Sequence, residues 1–124
     1  MCVLLVEDEP LIREIMAECL QDAGFEVVEA VSGDEALVLI HAEPERFLAL
    51  VTDFHMPGKT DGAGVATLLR EYRRNIPVLI ASGRPEVFQS SWRTKLGYRL
   101  LRKPYGPSEL VGIVQRMVAS EGSA

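Results

Sequence analysis

Thiols are scarce in this 124-residue chain: Cys2 and Cys19 are its only cysteines. They form neither a C-x-x-C pair nor a zinc-type spacing, which argues against a thiolate metal centre and for a reducing, cytoplasmic setting. Basic charge is also short. Thirteen Lys and Arg against 18 Asp and Glu leave a net charge of −5, without the basic stripe of a nucleic-acid surface. The densest basic group, Arg70, Arg73 and Arg74, stands at helical spacing among polar neighbours and reads as a solvated face. No apolar run approaches the ~20 residues of a membrane span. The N-terminus lacks a basic n-region, and Glu7-Asp8-Glu9 interrupts its apolar run, which excludes a typical secretory signal. Repeats, long linkers and low-complexity segments are absent. What is present, 48% hydrophobic and 25% charged residues, is the composition of one globular domain of ordinary size.

Apolar strand-like runs alternate with amphipathic helical patterns. Cys2 to Val6 predicts a first strand, and Pro10 opens a helix where its missing N–H is harmless. Leu11, Ile12, Ile15, Cys19, Leu20 and Ala23 then fall at three-to-four spacing, predicting the inward face, with Gly24 as the stop. Phe25 to Ala30 predicts a second strand. Ser32-Gly33-Asp34-Glu35 has the form of a capping box for a helix carrying Ala36, Leu37, Leu39 and Ile40 and ending near Pro44. A third strand over Phe47 to Thr52 precedes a loop with Pro57, Gly58, Asp61 and Gly62 and a helix through Val65, Leu68, Leu69 and Tyr72. Pro77 to Ala81 predicts a fourth strand, Glu86 to Lys95 a weakly patterned helix containing Trp92, and Tyr98 to Leu101 a fifth strand. Gly106-Pro107 starts a last helix with Leu110, Val111, Ile113, Val114, Met117 and Val118 inward. The domain is expected over 1–119, with Ser120 to Ala124 a frayed tail.

Five β-α units in this order imply an α/β fold, a parallel sheet with helices on both faces. Ligands of such sheets bind outside the carboxyl ends of the strands, where strand order reverses. The residues at those ends are Glu7 and Asp8, Asp53, Ser82, and Lys103 just past the fifth strand. Carboxylates crowded together push a pKa upward unless a cation intervenes. A hard divalent cation such as Mg²⁺ suits them, since it takes one or two carboxylates plus a carbonyl and leaves positions for phosphoryl oxygens. Lys103 adds a point charge and Ser82 a rotatable donor, which together make a cradle for a phosphoryl group. Asp53 stands alone at its strand end and is the candidate nucleophile for an acyl phosphate.

In these pieces the chain resembles a receiver domain of two-component response regulators, over essentially its whole length. The pieces are Val6-Glu7-Asp8-Glu9, Asp53-Phe54-His55-Met56-Pro57, Asp61-Gly62, Ala81-Ser82-Gly83 and Lys103-Pro104, in order and at matching spacing. The resemblance implies a flavodoxin-like (βα)5 doubly wound sheet, strand order 2-1-3-4-5, in a three-layer sandwich. It implies that Asp53 accepts a phosphoryl group from a phosphohistidine on a sensor histidine kinase or histidine phosphotransfer protein. Glu7, Asp8, Asp53 and the backbone carbonyl of His55 would hold Mg²⁺, Glu7 through water. Ser82 and Lys103 would bind the phosphoryl group, and the bond before Pro104 would be cis. The expected role is a phosphorelay switch of protein–protein contacts, not an enzyme with a small substrate.

His55 and Arg84 flank the in-line approach to Asp53 and are expected to tune phosphoryl lifetime, with the His55 ring partly exposed at the rim; His41 has no assigned function. Many receivers carry Tyr or Phe three residues before the lysine. Here the place holds Leu100, and Tyr98 lies two residues off at the wrong depth. The switch is therefore expected to run through Ser82 to Lys95, with Gly83 supplying backbone freedom. Three other functions compete. A pseudo-receiver that only binds protein would share the fold. An aspartate-nucleophile phosphatase would carry Asp where His55 stands, and a cap domain besides. A flavodoxin would be repelled at its phosphate loop by Glu7-Asp8-Glu9. With no output domain after the fifth unit, the chain is expected to act by protein contact, relay phosphate, or belong to a hybrid kinase or larger regulator.

Overall fold

The apolar runs become five parallel strands in the computed structural model, which describes residues 1–84 and 97–122. In chain order the elements are β1 (Cys2–Val6), α1 (Pro10–Asp22), β2 (Glu26–Ala30) and α2 (Gly33–Ala42). A 3-10 turn (Pro44–Arg46) then leads to β3 (Phe47–Asp53), α3 (Gly62–Tyr72), β4 (Val78–Ser82), β5 (Arg99–Arg102) and α4 (Pro107–Gly122). The sheet order is β2-β1-β3-β4-β5, the flavodoxin-like doubly wound arrangement expected. The region assigned to a helix over 86–95, Trp92 included, lies outside the described residues. α4 extends through Gly122. Among the described residues no helix is long and apolar enough to cross a membrane.

Alternation along each strand splits the apolar side chains between two layers. Leu4, Val6, Leu50 and Ile80 pack under α2 and α3 against Ala36, Ile40, Val65 and Leu69. Val3, Leu5, Val51 and Leu79 pack under α1 and α4 against Met16, Leu20, Leu110 and Val114. β1 and β4 are buried along their whole length, which is why they read as continuous apolar runs rather than alternating ones.

The predicted face of α1 is corrected in part: Leu20 is buried as expected and Cys19 and Ala23 are half-buried, but the first turn and a half is not inward. α1 buries Met16, Ala17 and Leu20, whereas Leu11, Ile12 and Ile15 are exposed by 69%, 41% and 52%. Two apolar stripes lie side by side on this helix, and either satisfies three-to-four spacing. Packing on α4 and β2 selects the stripe through Leu20. The capping box of α2 forms, with Ser32 Oγ accepting from the Glu35 amide at 3.1 Å. Its return bond lands one residue earlier than the usual form, from the Val31 amide to Glu35 Oε1.

The corrected face has a direct test. Met16→Ala, at a buried position outside the expected stripe, should cost about 2–5 kcal/mol of stability as a large-to-small change. Leu11→Ala should stay within about 0.5 kcal/mol, the usual range for a surface position. Urea unfolding of the two variants measures both.

Candidate functional site

Strand register brings the acidic residues together. Val6 pairs with Thr52 across β1 and β3, so Glu7 and Asp53 leave the sheet at the same level. The Glu7 amide continues the ladder to the Ala30 carbonyl at 3.1 Å. Glu7 is 2% exposed and Asp53 8%, while Asp8 lies nearer solvent. One carboxylate oxygen from each of Glu7, Asp8 and Asp53 lies within 4.8 Å of the others. Lys103 reaches into this cup: its Nζ stands 2.8 Å from Asp53 Oδ1 and 3.9 Å from Glu7 Oε1. The lysine is aimed from the end of β5, where its amide donates to the Ser82 carbonyl at 2.9 Å and its bond to Pro104 is cis.

Ser82, 1% exposed, ends β4 one residue beyond the Ala81 that pairs with Asp53. Its Oγ accepts from the Arg84 amide at 3.0 Å, which leaves the hydroxyl proton for donation elsewhere. Arg84 itself is exposed. His55 is half-buried, as expected of a ring at the rim. Its ring stands edge-on to Phe54, centroids 4.6 Å apart, and its Nε2 is buried without a hydrogen-bond partner. Leu100 packs on the α2–α3 side of the core beside buried Tyr98, over whose ring the Arg70 guanidinium sits at 4.9 Å. His41 Nδ1 and the Tyr72 hydroxyl are 2.7 Å apart, away from the cup.

Two neighbours of the cup escape sequence reasoning. Arg13 donates from Nη1 to the Glu7 carbonyl at 3.0 Å and pairs through Nε with Glu29 Oε1 at 3.3 Å. Tyr105 donates its hydroxyl to Met16 Sδ at 3.0 Å. Its phenol is held above the ordinary range by burial and by the charges of Glu7 and Asp53. Arg13 lies one helical turn past the acidic motif, so helical spacing carries a faint signal for it. Nothing in the sequence points to Tyr105.

Burial, with Asp53 adding to it, pushes the Glu7 carboxyl up to about 7, against the pull of the Glu9 amide and Lys103. The Glu9 amide bonds Glu7 Oε2 at 3.1 Å. Three carboxylates share one ammonium, a surplus of negative charge suited to a hard divalent cation with oxygen ligands. The donor set therefore fits Mg²⁺.

The family described as the response regulator receiver domain matches residues 3–115. An NtrX-like response regulator of Rickettsia typhi is 31% identical over 92% of this chain and 24% of its own length. The transcriptional regulatory protein PrrA of Mycobacterium tuberculosis is 35% identical over 98% of this chain and 51% of its own length. The chain thus spans about a quarter to a half of these curated relatives. The structure of the chemotaxis protein CheY4 of Vibrio cholerae superposes with a TM-score of 0.80 at 32% identity, covering 94% of this chain and 98% of that one. The chain belongs to the receiver domains of two-component response regulators.

The raised Glu7 value gives a pH dependence with a definite sign. The folded chain, at about 7, holds this proton more tightly than the unfolded chain, at 4.5. Its contribution is complete below 4.5 and is lost as pH rises to about 7. Urea unfolding in chelated buffer should show the wild type losing stability relative to Glu7→Gln across that interval. Parallel curves would mean that Glu7 is ionised throughout.

Proposed function

We propose that Asp53 accepts a phosphoryl group from a phosphohistidine of a sensor histidine kinase or histidine phosphotransfer protein, and that the resulting acyl phosphate switches protein–protein contacts. The observation that carries the reading is the Lys103 ammonium 2.8 Å from Asp53 Oδ1, inside a cup of three carboxylates within 4.8 Å. An Asp53 oxygen attacks phosphorus in line with the leaving imidazole. The P–O bond forms as the P–N bond breaks, and the imidazole nitrogen leaves with the electron pair and takes a proton. Lys103 is close enough to follow the phosphoryl oxygens, and the Ser82 hydroxyl has a proton to give them. Glu7, Asp8, Asp53 and the His55 carbonyl would hold Mg²⁺, which when bound neutralises charge on the transferring group.

The donor has to approach past the mouth of the cup. There Ile12, Ile15, Met16, Pro104, Tyr105 and Pro107 line an apolar groove of about 560 Å³ that shares Lys103 with the site. A helix of the donor protein suits that groove. This gives the exposed apolar stripe of α1 a use that core packing does not. His55 and Arg84, two residues past Asp53 and Ser82, flank the phosphoryl site and set how water reaches it. Acting as a switch, the domain transforms only itself.

Acetyl phosphate with Mg²⁺ should label the wild type, read by intact mass, and chelation should abolish the label. Asp53→Asn should stay folded and unlabelled. A wild type that takes no label at saturating Mg²⁺ is a phosphorylation-independent binding module instead. Decay of the label should change in a His55→Ala, Arg84→Ala double variant; an unaltered rate removes their tuning role.

A further inference from the structure

The connection from β3 to α3, residues 54–61, bears the His55 carbonyl, and within its own sequence only Pro57 restricts the backbone. Three contacts hold it. At its base the Gly62 amide donates to the Phe54 carbonyl at 2.9 Å, and a Cβ on Gly62 would collide with the Asp53 carbonyl oxygen. Phe54 and Met56 pack on the α2–α3 side of the core. At its tip, residues 58–60 lie across the first turn of α2. The Lys59 amide donates to Asp34 Oδ2 at 3.3 Å. Gly58 has φ +101°, and a Cβ there would stand 2.7 Å from the same oxygen. Gly33 is buried, and a Cβ on it would run into the Thr60 carbonyl oxygen.

The same short stretch touches the other half of the cup. Ala30, three residues before Gly33, receives the Glu7 amide on its carbonyl at 3.1 Å. Between these contacts the chain is stiffened by both bonds of the capping box, at 3.1 Å each. The turn from Ala30 to Asp34 therefore grips Glu7 at one end and the His55-bearing loop at the other, and none of its side chains belongs to the cup.

We propose that the turn from Ala30 to Asp34 is a positioning element of the acidic cup. It sets the separation between the carboxylates after β1 and the loop carrying the His55 carbonyl, with Gly33 and Asp34 as its contact points. Metal affinity then depends on the lack of a side chain at Gly33, because a methyl group there lifts the loop at Thr60. This inference rests on the functional reading above, in which those groups share a cation.

Calorimetric titration of Mg²⁺ into the wild type, Gly33→Ala, Asp34→Ala and Asp34→Asn tests it, with urea unfolding to establish that each is folded. Gly33→Ala should weaken Mg²⁺ binding by about tenfold or more, the scale of outer-shell changes at metal sites. Asp34→Ala should weaken it too and speed exchange of the Lys59 amide. Asp34→Asn loses the same charge but keeps an acceptor for that amide, and should stay near wild type. Labelling by acetyl phosphate should recover its full rate in Gly33→Ala once Mg²⁺ is saturating, which a general loss of folding would not allow. If Gly33→Ala does not fold, the Asp34 pair decides. Wild-type Mg²⁺ affinity in a folded Gly33→Ala, or equal affinities in Asp34→Ala and Asp34→Asn, overturns the proposal. A wild type that binds no Mg²⁺ fails the functional reading instead and takes this inference with it.

Discussion

Three carboxylates crowded at the ends of two neighbouring strands are the constraint around which this domain is built. Their mutual repulsion is offset by one buried-side contact, Lys103 Nζ on Asp53 Oδ1 at 2.8 Å. A single ammonium against three acids leaves the balance incomplete, and Glu7 shows it: desolvated, and beside Asp53, its carboxyl holds its proton up to about 7. A site in that condition gains from any hard cation that enters. Under the proposed transfer, the charge added at Asp53 as an acyl phosphate would meet the same lysine and cation. Hydrophobic strands make the crowding tolerable by anchoring the backbone on which the acids stand.

The surrounding elements divide the work. β1 and β3 present the acids, β5 aims the lysine, and β4 brings Ser82 alongside, its hydroxyl bonded to the Arg84 amide at 3.0 Å. The amide uses the oxygen as acceptor and leaves its proton for donation, so this one hydroxyl links the site to the chain that follows Gly83. Inverting a 1:99 population to 99:1 takes about 5.5 kcal/mol of differential interaction. A dianion held by a cation, an ammonium and a hydroxyl can supply energy of that order. Leu100 stands in place of an aromatic, and Tyr98 lies under the Arg70 guanidinium at 4.9 Å.

Much of this was legible in the residues. Strand burial on both faces produces apolar runs, and a carboxylate at the end of such a run can only lie at the sheet rim, so Glu7, Asp8 and Asp53 announced themselves. Lys103 and Ser82 followed by the same logic. The inward face of α1 was legible only in part: Leu20 was, but Leu11, Ile12 and Ile15 satisfy helical spacing as well as Met16 and Ala17 do. Only contact with α4 and β2 separates the two stripes. The buried Nε2 of His55 was equally hidden, since a polar ring two residues past a rim aspartate gives no sign that it turns against Phe54.

The chain's order of apolar runs, caps and glycines determined by itself that the fold is a doubly wound α/β sheet with its chemistry at the strand ends. Those features act locally, through backbone sterics and the period of side-chain burial. Tertiary structure alone decided which stripe of α1 faces solvent, that Tyr105 stands against the cup, and that Gly33 lies beneath the Thr60 carbonyl. Each of these joins residues distant in sequence, and such contacts are set by how close packed layers can approach, a quantity that no local pattern encodes.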